Sequence, residues 1–135
     1  MLEVYSVNVT VPAGSAFPLN TVKILKGCTA TIGGNSIQLN RAGVYNVSVS
    51  ASLEPGTAGD VSLALYKDGS PVAGASTSFT GALNTVNTAS LDALIQCPQN
   101  NNPCNCSTSP LTITIVNTGE TEVTGNINVV VTKLC

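Results

Sequence analysis

Histidine is absent from this chain, and charge is scarce: of 135 residues, 9% are charged, against about 25% in an ordinary soluble domain. Without histidine, Ser-His and Cys-His nucleophile pairs cannot form within one chain. The cations Lys23, Lys26, Arg41, Lys67 and Lys133 are scattered singly, with no basic stripe to neutralise phosphates, so no nucleic-acid partner is expected. No basic amphipathic helix and no stretch approaching ~20 apolar residues appears, so no membrane partner is expected either. The opening "MLEVYSVNVTVPAG" lacks the basic and apolar regions of a signal peptide, and the expectation is synthesis in a host cytoplasm. Carboxylate chemistry would need two of Glu3, Glu54, Asp60, Asp68, Asp92, Glu120 and Glu122 facing each other in a cleft. Asp68 is better used by a turn, and Glu54, Asp60, Glu120 and Glu122 lie in or beside polar connections. The expectation is a protein that is not an enzyme and carries no cofactor and no metal.

Ser, Thr, Asn and Gly stand where charges would be, and the apolar residues alternate with them. "VYSVNVTV" (4–11) sets Tyr5, Val7, Val9 and Val11 on one predicted face. "GVYNVSVSASL" (43–53) aligns Tyr45, Val47, Val49, Ala51 and Leu53, and "DVSLALYK" (60–67) aligns Val61, Leu63 and Leu65. "TASLDALI", "LTITIVN" and "NINVVVTKL" repeat the pattern. A period of two marks half-buried strands, because successive side chains leave opposite faces. Asp68-Gly69 is a two-residue hairpin signal, since both central residues of a type I′ turn need positive φ. "TIGGNSI" is a second tight turn. About nine or ten strands result, with no helical periodicity between them, so pairing is mostly antiparallel. The length suits one domain, 1–135, built as a sandwich, jelly roll or barrel.

"SIQLNRAGVYNVSVSASLEP" followed by "AGDVSLALYKDGSPVAGAS", with the closing "LTITIVNTGETEVTGNINVVVTKL", resembles the C1q/TNF-like superfamily. Gly43–Tyr45 and the hairpin at Asp68-Gly69 carry most of the likeness, which extends over the whole chain. It is nearest to the short subtype of phage virions and of bacterial spore or surface proteins. The resemblance implies an all-β fold, a ten-stranded antiparallel jelly-roll sandwich that assembles as a homotrimer without catalysis. Unlike eukaryotic members, the chain has no collagen stem, few aromatics and no acidic cluster for calcium. Apolar residues on both faces of the last strands (Val129, Val130, Val131; Ile115, Val116) are consistent with burial against symmetry mates. Tyr45, Ile115, Val129 and Val131 are accordingly expected in the trimer core.

The expected role is structural: a homotrimeric capsid decoration or head-fibre protein of a phage virion, bound to the major capsid protein or another virion component. Residues 1–20 form the expected docking or edge segment. The alternative is a receptor-binding tip, or a spore or cell-surface adhesin, that recognises a host-surface glycan.

One stretch departs from the pattern. "IQCPQNNNPCNC" places Cys97, Cys104 and Cys106 in a Cys/Asn-rich insertion, 97–109. Their C-x6-C-x-C spacing lacks the knuckles of zinc sites, although a further ligand could come from Cys28, Cys135 or a symmetry mate. A disulfide from Cys97 to Cys104 or Cys106 and a set of reduced thiols both remain open. Five cysteines are an odd number, which leaves at least one unpaired within the chain. Cys135 is the candidate for a free or inter-subunit thiol, and Cys28 reads as buried. The sequons at Asn8, Asn46 and Asn105 are read as unmodified, since the first two fall within strands.

Overall fold

The computed structural model describes residues 2–19, 21–25, 30–33, 35–39, 43–82, 85–97 and 111–134. Ten strands follow in chain order: β1 (Leu2–Val11), β2 (Thr21–Leu25), β3 (Ala30–Gly33), β4 (Ser36–Leu39), β5 (Gly43–Pro55), β6 (Gly59–Lys67), β7 (Ser70–Gly81), β8 (Asn87–Cys97), β9 (Leu111–Asn117) and β10 (Val123–Lys133). They form two five-stranded sheets, β2-β1-β10-β5-β8 (sheet 1) and β3-β4-β9-β6-β7 (sheet 2). The pairings are antiparallel, as expected of strands without crossover helices. The architecture is the jelly-roll sandwich expected from the sequence.

β5 is the spine of sheet 1. It pairs with β10 from Val123↔Pro55 to Lys133↔Tyr45, and with β8 from Gly43↔Cys97 to Leu53↔Asn87. Unbroken pairing on both sides keeps its alternation strict. Tyr45, Val47, Val49, Ala51 and Leu53 all enter the core, against Ile127, Val129 and Val131 of β10. Sheet 2 answers with Val61, Leu63 and Leu65 of β6 and Leu111, Ile113 and Ile115 of β9. Each such side chain contributes about 1.5–3 kcal/mol by leaving water.

β1 corrects the sequence reading. Its inward residues are Leu2, Val4 and Ser6, while Val7 is 55% exposed. The register explains the change: Ser6 opposes Ile127 and Val9 opposes Gly125, so β1 carries one extra residue there. Asn8 sits at this bulge with φ 54°, its amide donating to Asn126 Oδ1 at 2.9 Å. A bulge reverses the parity of everything beyond it. Val11 therefore returns to the core, as expected, but Tyr5 and Val7 do not enter it.

Within the segment expected to dock or to form an edge, residues 2–19 pack on the domain. Beyond β1 the chain turns back over sheet 2, with Gly14 N–H donating to the Asn117 carbonyl (2.7 Å) and Phe17 N–H to that of Ile115 (2.7 Å). Leu2, Val4, Phe17 and Leu19 have no solvent exposure. Residues 2–19 thus contribute both β1 and several buried side chains to the core.

The hairpin at Asp68-Gly69 forms as expected, with φ 50° and 84°, and closes on the pair Lys67↔Ser70. Asp68 is also tied to β9: its Oδ1 accepts from Thr112 N–H at 2.9 Å, and its own N–H donates to the Thr112 carbonyl at 2.8 Å. At the opposite end of the sandwich, the β5–β6 and β9–β10 connections are laced together. Gly56 N–H donates to the Glu122 carbonyl (2.9 Å) and Glu120 N–H to that of Asp60 (3.1 Å), while the Thr57 and Thr121 hydroxyls meet at 2.9 Å. Glu54, Asp60, Glu120 and Glu122 therefore gather at one end, and Lys67 and Lys133 close strands at the other.

Candidate functional site: the outer face of sheet 1

Strand register assembles residues distant in sequence on the solvent face of sheet 1. Tyr5, Asn128, Ser50 and Ser90 form one cross-strand row, and Glu3, Val130, Ser48 and Asp92 the next. Leu94 pairs with Asn46 at the β8 edge. Hydroxyls and amides dominate because a strand exposed on one face carries its polar residues there.

An open cavity of about 490 Å³ lies in this face, over the junction of β1, β10 and β5. Tyr5, Val7, Asn126 and Asn128 line it beside the short side chains of Ser50 and Ser52. The β1 bulge shapes one margin, and the Asn8–Asn126 hydrogen bond fixes the Asn126 carboxamide there. Lys23, from β2, also lines the cavity. Its Nζ lies 3.6 Å from Glu3 Oε2, with the lysine side chain 61% exposed and the glutamate 17%. An exposed pair of this kind contributes little to stability; its effect is to hold a positive charge at the rim.

The face offers neutral hydrogen-bonding groups, one phenol ring, the Lys23 ammonium and the carboxylates of Glu3 and Asp92. Among the described residues, no group of three or more His, Cys, Asp or Glu could hold a metal ion, and no helix is long and apolar enough to cross a membrane.

The residues singled out from sequence fall elsewhere. Tyr45 (1% exposed), Ile115 (0%), Val129 (0%) and Val131 (1%) are already covered within a single chain. Their side chains fill the space between the sheets, where inward parity places these four expected trimer-core positions in the core of the subunit. Cys97 ends β8, its backbone opposite Gly43. Cys104, Cys106, Cys135 and Cys28, with the insertion 98–109, lie outside the described residues. Lys23, Asn126, Asn128 and Leu94 were not singled out in the sequence, and only strand register could have grouped them.

No protein-family model matches the sequence, and no curated protein matches it. Solved structures do match its fold. The PRD1 vertex protein P5 is 18% identical, with a TM-score of 0.61 over 99% of this chain and 96% of that one. The globular domain of zebrafish complement 1qA is 14% identical (TM-score 0.65, 96% and 94% covered). The Eiger TNF from S. frugiperda is also 14% identical (TM-score 0.68, 99% and 92% covered). The described residues thus have the jelly-roll fold of C1q/TNF-like proteins, as the sequence motifs implied.

Proposed function

We propose that this protein is a non-enzymatic structural component of a phage virion, a homotrimer that decorates the capsid or forms a head fibre. One observation carries the reading: the likeness to a virion vertex protein spans nearly the full length of both chains. The lining of the cavity, mostly neutral hydroxyls and amides, is consistent with this role. The resemblance in sequence motifs implies the homotrimer, and the partner on the particle would be the major capsid protein or another virion component.

The test is mass spectrometry and immunogold labelling of purified virions. The chain is expected in stoichiometric amounts on the particle surface. Its absence from particles would overturn the reading. Recovery from a spore or cell envelope instead would favour the adhesin alternative.

A further inference from the structure

We infer that the cavity of sheet 1 is a binding site for a neutral saccharide. The Tyr5 ring is its stacking surface. The carboxamides of Asn126 and Asn128 and the hydroxyls of Ser50 and Ser52 are its hydrogen-bonding groups. Binding of this kind goes beyond the virion role and is independent of it.

Register and side-chain size make the depression. Tyr5, Asn128 and Ser50 stand in one outward row, and Asn126 and Ser52 in the next. Tyr5 and Val7 rise on β1 and the two asparagines on β10, whereas β5 presents only the short serines. The face therefore falls away from β1 toward β5. Rows two residues apart are separated by about 7 Å, and three strands span about 10 Å. That is the footprint of a short oligosaccharide, and a volume of about 490 Å³ suits a small-ligand site.

The polar groups of the cavity are held open to a ligand. Elsewhere on the surface, hydroxyls are tied to one another: Thr10 to Thr124 at 3.0 Å, Thr118 to Ser62 at 2.8 Å and Thr57 to Thr121 at 2.9 Å. Among the described residues, the side chains of Tyr5, Ser50, Ser52 and Asn128 make no hydrogen bond. Asn126 uses only its Oδ1, which accepts from Asn8 N–H at 2.9 Å. That bond fixes the carboxamide and leaves its amide hydrogens to donate. Groups fixed in place by strand register lose little freedom when a ligand meets them.

The class of ligand follows from this inventory. Lys23 at the rim is matched by Glu3, with Nζ 3.6 Å from Oε2, so the site as a whole is neutral. An anionic ligand would meet the glutamate as well as the lysine. Carboxamides and hydroxyls both donate and accept, and they require the same of their partner. A sugar ring carries hydroxyls of that kind around its edge. Its faces are C–H groups, which pack on the Tyr5 ring and the exposed Val7 side chain.

Calorimetric titration of the purified protein with lactose, maltotriose and diacetylchitobiose, beside an array of neutral and acidic glycans, tests the site. Saturable binding of at least one neutral glycan is expected. Tyr5→Ala is expected to weaken it about tenfold or more, a tenfold step being about 1.4 kcal/mol. Ser52→Gln, which fills the depression from β5, is expected to do the same. Ser78→Gln, on the outer face of sheet 2 opposite Ser62, is expected to leave binding unchanged. Circular dichroism and light scattering show that each variant keeps the fold and the assembly state of the wild type. Absence of binding to every neutral glycan would overturn the site, and so would affinity unchanged in both Tyr5→Ala and Ser52→Gln. Binding confined to acidic glycans and lost in Lys23→Met would overturn the neutral class. None of these outcomes alters whether the chain is found on virions, so the two readings fail separately.

Discussion

The side-chain amide of Asn117, without solvent exposure, donates to the main-chain carbonyl of Val11 across 3.1 Å. The same group donates to the Thr121 carbonyl at 3.0 Å, and its oxygen accepts from Gly119 N–H at 3.1 Å. One carboxamide thereby ties the end of β1 to the turn between β9 and β10. A buried amide is stabilising when all its partners are met and costly when they are stranded.

Asn117→Ala is therefore expected to destabilise the fold by about 3 kcal/mol, because it leaves two carbonyls and one N–H without partners. The corresponding fall in melting temperature is roughly 10 °C. Thermal circular dichroism at fixed protein concentration measures it; a shift of a degree or two would mean that water replaces the carboxamide at no cost.

Two glycines separate crowding from backbone conformation. A Cβ at Gly125 would overlap the Ser52 carbonyl oxygen on β5, whereas one at Gly69 meets nothing within 4 Å. Gly69→Ala costs only the left-handed backbone, φ +84°, about 1 kcal/mol. Gly125→Ala forces β10 and β5 apart and is expected to cost about 4 kcal/mol or to prevent folding. Urea titration of both variants checks the order, and equal costs would contradict it.

The bulge in β1 predicts opposite outcomes for two valines. Val4→Thr buries a hydroxyl between the sheets and is expected to cost about 2 kcal/mol. Val7→Thr, on the solvent side, is expected to stay within about 0.5 kcal/mol. The unbulged alternation would give the reverse order, so denaturant unfolding of the pair reads out the register directly.

β5 and β1 show what the sequence could and could not reveal. Tyr45 to Leu53 were legible because β5 is paired on both sides without interruption, so period two passes unchanged from sequence to burial. The β1 pattern was equally regular to the eye, yet the single extra residue at Asn8 moved Tyr5 and Val7 to the outer face. The Asn-8 conformation, φ 54° in a residue that tolerates it, was the available hint. Asn117 shares the inward parity of Ile113 and Ile115, a signal that its polarity concealed. The cavity was illegible for a different reason. Its lining comes from β1, β2, β5 and β10, and their neighbour relations are set by strand order, which period two does not encode.

Glu54, Asp60, Glu120 and Glu122 gather at one end of the strands, whereas at the other Asp68 and Glu3 stand beside Lys67, Lys23 and Lys133, so the excess of negative charge among the described residues lies at the first end. A cationic surface draws that acidic end toward it before any contact forms, and added salt weakens the steering.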